Sequence, residues 1–172
     1  MTGSWLNANG DCIGNYNDLT RKCDGGGAKT AYDRLEKVTG FCATNAGGCS
    51  YTIPIVVLSP GDSVYVRGGT YSRIASYTTI PMYTIRVNGV AGSPITFANY
   101  PGETVIVDAL GIKQVGLQVE GDYIVVDGLE FTKALRDGIR INNRKYVTVK
   151  NCKAYENTEE MGSDNAGIMS YG

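Results

Sequence analysis

The chain has 172 residues, 19% of them charged, and a formal net charge of −1, so nothing in its charge balance points to nucleic acid or an anionic membrane as partner. Histidine is absent, which removes Ser–His and Cys–His nucleophile pairs, His-ligated zinc and imidazole acid–base catalysis. Any chemistry rests on Asp, Glu, Lys, Arg, Tyr or a hard metal held through oxygen. Gly is 23 of the 172, Tyr 12 and Pro only 5, a balance that suits β-strands joined by tight turns. No apolar run approaches the ~20 residues needed to cross a bilayer, so no membrane partner is expected.

Residues 1–52 read as an irregular N-terminal cap segment. Four of the five cysteines, Cys12, Cys23, Cys42 and Cys49, lie there. Their spacing fits no paired CxxC zinc site, and two local disulfides are the expectation, which implies an oxidising, extracellular setting. Cys12–Cys23 with Cys42–Cys49 is the preferred pairing of the three that four cysteines allow. The segment Thr30-Ala31-Tyr32-Asp33 resembles a capping box, Ala31, Leu35 and Val38 recur at helical spacing, and Gly40 is placed to end the helix. A short amphipathic helix over about 30–39 is therefore predicted, its apolar stripe covering the open end of a sheet stack.

From residue 53 to residue 172 the pattern changes to short apolar alternations separated by Gly, Asn and Asp. They include Val64-Tyr65-Val66, Ile85-Arg86-Val87, Ile95-Thr96-Phe97 and Val105-Ile106-Val107. No helix-period stretch intervenes, which excludes βαβ units. Internal repetition decides the architecture. Gly116-Leu117-Gln118-Val119-Glu120, Gly138-Ile139-Arg140-Ile141-Asn142 and Gly167-Ile168-Met169-Ser170-Tyr171 share one pattern at steps of 22 and 29 residues. Tyr123 to Phe131 superposes on Tyr146 to Ala154 at a step of 23. A short repeat of strands and tight turns is solved by winding each repeat into one coil, with equivalent strands pairing in parallel about 4.8 Å apart. The predicted fold is all-β, a right-handed parallel β-helix (a solenoid) with Leu117, Ile139 and Ile168 in one interior file. Cys152 takes the register of core Leu129 and reads as a small buried hydrophobe rather than a reactive thiol.

The segment Ser59-Pro60-Gly61-Asp62-Ser63-Val64-Tyr65-Val66-Arg67-Gly68-Gly69-Thr70-Tyr71 resembles the opening coil of pectate-lyase-like β-helix proteins. Gly92 to Glu103 is similar to their second coil, and the later Gly-initiated repeats continue the likeness over about residues 58–172. The resemblance implies a secreted protein of the polysaccharide lyase superfamily, acting on an acidic polysaccharide such as pectate, alginate or chondroitin by β-elimination. The polygalacturonase branch of the fold relies on Asp groups with a nearby His, which this chain lacks. Members normally run for many more coils, whereas the coils here stop at Gly172 without a C-terminal cap. The expectation is either an N-terminal portion of a longer protein or an end that pairs with another molecule, including end-to-end self-association.

Outward positions on the Gly-initiated strand are expected to form two columns. One reads Arg86, Gln118, Arg140, Met169 and the other Asn88, Glu120, Asn142, Tyr171. Arg86 and Arg140 would then stand two coils apart, roughly 9–10 Å, close to two sugar residues. Guanidinium groups suit uronate carboxylates. Arg140 is the first candidate for carboxylate neutralisation or base, Lys113 is the second catalytic candidate, and Arg136 joins the substrate-binding set. Asp137, Glu159, Glu160 and Asp164 in adjoining turns are candidate ligands for Ca2+, which accepts 6–8 oxygens in flexible geometry. The same residues are equally those of an ordinary solvated sheet exterior and a charged loop. A non-catalytic carbohydrate-binding, adhesive or filament-forming module stands beside the lyase reading.

Overall fold

The computed structural model describes residues 58–72, 81–158 and 167–172, together with the backbone of 16–17 and 22–23. Two short strands, β1 (Tyr16–Asn17) and β2 (Lys22–Cys23), pair antiparallel. The predicted helix over 30–39 lies outside the described residues, as do Cys12, Cys42 and Cys49 and the side chain of Cys23.

Twelve strands then wind four times around one axis. The first turn holds β3 (Ser63–Val66), β4 (Gly69–Ser72) and β5 (Tyr83–Ile85). β6 (Ile95–Asn99), β7 (Val105–Asp108) and β8 (Val115–Val119) make the second. β9 (Ile124–Asp127), β10 (Leu129–Thr132) and β11 (Asp137–Asn142) make the third. β12 (Thr148–Lys150), β13 (Lys153–Tyr155) and β14 (Ile168–Tyr171) make the fourth. Every third strand pairs, giving three four-stranded sheets, β3-β6-β9-β12, β4-β7-β10-β13 and β5-β8-β11-β14, all parallel.

Side-chain alternation makes the bore. Val64, Phe97, Val126 and Val149 share one register on the first sheet. Tyr71, Val107, Phe131 and Ala154 do so on the second. Tyr83, Leu117, Ile139 and Ile168 do so on the third, the last three as the repeats predict. Phe97, Phe131, Ile124 and Ile139 are at most 1% exposed. Burying each such side chain stabilises by roughly 1.5–3 kcal/mol. In the fourth turn Val149 and Ala154 are half-buried and Ile168 is 46% exposed.

The Gly that opens each repeat is explained by the stacking. A Cβ on Gly116 would meet the Gly138 carbonyl oxygen at 2.7 Å, and one on Gly138 would meet that of Gly167 at 2.7 Å. The corner from first to second sheet turns on one left-handed residue, Gly128 (φ 69°) in the third coil and Asn151 (φ 53°) in the fourth. Asn tolerates that region better than other side chains. Gly128 is required for space as well, because its Cβ would lie 2.0 Å from Asn99 Oδ1. Tyr123 and Tyr146 hold left-handed φ at the opposite corner, where their rings stack 4.4 Å apart at 14°. That contact offsets part of the backbone strain.

Cys152 sits where the repeat places it, half-buried against the core, with Sγ 3.7 Å from the Val126 carbonyl oxygen. Burial pushes its thiol up from the ordinary value, with backbone hydrogen bonds only partly opposing. Ionisation is thus easier in the unfolded chain. The stability this thiol contributes is full below the unfolded pKa and is lost as pH rises through the folded one. Alkylation of Cys152 at mildly alkaline pH is expected to be about tenfold or more slower in the native protein than in denaturant, read by mass spectrometry of the tryptic peptide.

Candidate functional site

The outer face of the third sheet carries the sequence-predicted site, but its first coil is shifted by two residues. Thr84, not Arg86, stands in register with Gln118, Arg140 and Met169. Arg86 continues the other row, beside Glu120, and Asn142 pairs with Tyr171 above them. Alternation cannot detect this slip, because a two-residue shift keeps every side chain on the same face. The expected Arg86–Arg140 column is therefore not formed. Arg86 instead donates Nε to Glu120 Oε2 at 2.8 Å, and Gln118 Nε2 donates to the other Glu120 oxygen. Both partners of the Arg86–Glu120 pair are at least a quarter exposed, so it is worth about 0–1 kcal/mol. Asn88 also leaves its expected column. It lies in the turn after β5, where its Oδ1 accepts a hydrogen bond from Asp122 N at 2.9 Å.

The strongest interaction of the face is at the start of β11. Arg140 donates Nε to Asp137 Oδ2 at 2.6 Å, and its guanidinium lies 5.7 Å from the Tyr171 ring centroid. Asp137 is fully buried and the Arg140 side chain is 14% exposed. Asp137 is therefore paired with a cation through Oδ2. Glu159, Glu160 and Asp164 lie outside the described residues. Among the described residues no group of three acids, cysteines or histidines could hold an ion. Of the four candidate calcium ligands only Asp137 is described, and its Oδ2 is paired with Arg140.

Lys113 needs a second correction. The sequence places it in a turn as a catalytic candidate, yet it is fully buried. The turns between second and third sheets stack coil on coil, Leu135 N donating to Lys113 O at 2.8 Å and Arg136 N to Gln114 O at 3.0 Å. A side chain enclosed there cannot touch a polymer lying on the outer face.

Two further groups of this corner stand out. Arg136 is half-buried, its Nε is buried without an acceptor, and no carboxylate among the described residues pairs with it. One coil up, Asn157 Oδ1 accepts from Ala134 N at 3.0 Å while its buried Nδ2 has no acceptor. Nothing in the sequence signals the spare amide donor.

Three parallel sheets wound coil on coil, with a polar third face and stacked turns beside it, define a parallel β-helix. The chain belongs to the Pel9A-like right-handed β-helix family, whose model matches residues 43–169. It is pectate-lyase-like, and similar to Pectate lyase L of Paenibacillus polymyxa (strain SC2), with 34% identity over 109 residues. That alignment covers 59% of this chain but only 22% of the relative, so the chain spans a minor part of that protein's length. No solved structure matches.

Proposed function

We propose that these coils are part of a secreted polysaccharide lyase that cleaves a uronic-acid polymer by β-elimination, pectate being the first substrate to test. The similarity to a pectate lyase carries this reading. In that reaction a base removes the proton α to the carboxylate, cations stabilise the enolate-like intermediate, and the C4–oxygen bond breaks. Arg140 supports the electrostatic part. A guanidinium fixed by Asp137 is a positioned cation, suited to neutralising a uronate carboxylate rather than to taking up a proton. Gln118, Asn142 and Tyr171 add hydroxyl-binding groups and a ring face to the same strip.

The paired state of Arg86 and Arg140 and the enclosure of Lys113 favour a second reading, that this portion binds the polymer and does not itself cleave it. Absorbance near ~235 nm, where the unsaturated products of β-elimination absorb, separates the two. The lyase reading expects a rise on pectate, alginate or chondroitin; binding with no rise on any of them supports the module. Calcium would rest on Asp137, Glu159, Glu160 and Asp164, and a chelator would then abolish the rise. The secreted state and the pairing of Cys12, Cys23, Cys42 and Cys49 belong to the same proposal. Labelling of the unfolded, non-reduced chain should mark Cys152 alone.

A further inference from the structure

Lys113 cannot touch a polymer on the outer face, yet it carries a charge that the fold has taken out of water. Among the described residues only two charged side chains are fully buried, Lys113 and Asp137. They have opposite signs and belong to the same corner of consecutive coils. Leu135 N donates to Lys113 O at 2.8 Å and Asp137 N to Gln114 O at 3.1 Å, so the two backbones run side by side there. Val115, two residues after Lys113, is the register partner of Asp137. The side chains therefore spring from strands about one coil spacing apart, ~4.8 Å. Charges this near act strongly on each other where water is excluded, because the effective dielectric is about 20 rather than 80.

Arg140 is the third charge of the corner. It holds Asp137 from the outer side, donating Nε to Oδ2 at 2.6 Å. One carboxylate thus stands between two cations, one enclosed and one at the surface, and the three sum to +1 (two cations less one carboxylate). An Arg140–Asp137 pair by itself is neutral and has little attraction left for an anionic polymer. The enclosed ammonium changes that balance.

We propose that Lys113 is a positioning residue of the third face: its enclosed ammonium offsets the Asp137 carboxylate from within, so that the charge of Arg140 remains available to one acid group of a bound uronic-acid polymer. The inference rests on the acidic-polysaccharide reading and gives Lys113 a part in it without contact. Arg86 is the contrast on the same face. Its partner Glu120 also accepts from the neutral amide of Gln118, and those three side chains sum to zero. Recognition on this face is then centred on Arg140 rather than on Arg86.

Calorimetric titration of the full chain with hexagalacturonate tests this through the charge count. Lys113→Met removes the ammonium, keeps an unbranched side chain and takes the three-residue sum to zero. Affinity is expected to fall about tenfold, the effect of one unit charge roughly 10 Å away at an effective dielectric of about 20. Adding Asp137→Asn restores the sum to +1, and Asn keeps an oxygen that can accept from Arg140 Nε. The double variant is expected to recover most of the lost affinity. Packing damage is not repaired by a second substitution at a buried site, so recovery separates charge from packing. Urea unfolding of each variant gives the folded fraction, and Lys113→Gln carries the titration if Lys113→Met does not fold. If the parent binds and the Lys113 variant binds equally well, the inference fails and the polysaccharide reading stands. A double variant that binds no better than the single one makes Lys113 structural, and the inference fails in the same way. No binding by the parent overturns the inference together with the pectate reading beneath it.

Discussion

Gly121→Ala is expected to destabilise the protein by about 3 kcal/mol or more, through a single methyl group. Gly121 closes the turn after β8, and a Cβ there would stand 1.8 Å from the Val87 carbonyl oxygen and 2.9 Å from its carbon. The obstacle is backbone of the coil below, so no side chain can rotate away. Relief requires separating two coils that are hydrogen-bonded along the whole ladder, including Glu120 N to Ile85 O at 2.8 Å and Gly89 N to Asp122 O at 3.0 Å. Gly102→Ala is the matched comparison. That position has φ +79° and nothing within 4 Å, so its cost is the backbone term alone, about 1 kcal/mol. Urea unfolding of the two variants checks both figures. Equal losses would mean that the coils are not packed as closely as the Gly121 contact requires.

Arg140→Ala has the second large effect, and it arises from the residue left behind. Asp137 is fully buried and Arg140 Nε is 2.6 Å from its Oδ2. Removing the guanidinium takes the Arg140 cation away from a fully buried carboxylate, a change that costs about 3–5 kcal/mol in comparable buried pairs. Replacing both residues, as in Asp137→Ala with Arg140→Ala, is expected to recover part of that loss, because the two charges of the pair are then removed together. A double-mutant cycle by denaturant titration gives the coupling directly. Additive losses would show that the pair is not the source of the effect. Loss of polymer binding in Arg140→Ala alone therefore says little about recognition unless the folded fraction is measured alongside.

The sequence was most informative where the repeat has a steric cause. Gly116 and Gly138 mark the third sheet because each admits the carbonyl of the coil above, Gly167 lies against Ala154 of its own coil, and their shared pattern placed the Leu117–Ile139–Ile168 file correctly. The first coil has Met82 where the later ones have Gly, so it offers no such anchor. Its alternation fits two registers equally, and Arg86 was placed one row from its true neighbour Glu120. Turn residues were less legible still. Lys113 has the spacing of a solvated loop lysine, and only the stacking of turn 133–136 on turn 109–114 encloses it. Asp137 has the look of a loop acid, but its partner is three residues away on the same strand, too near in sequence to register as a tertiary contact. Cys152 could be read correctly because its role is packing, and packing follows the period.

The most direct test of the account is a two-dimensional amide and arginine side-chain NMR titration of the chain with hexagalacturonate. Perturbations confined to Gln118, Arg140, Asn142 and Tyr171 are the predicted result, with the first and second sheets unchanged. Shifts centred on the outer faces of β3-β6-β9-β12 or β4-β7-β10-β13, or no shifts at saturating ligand, would contradict it.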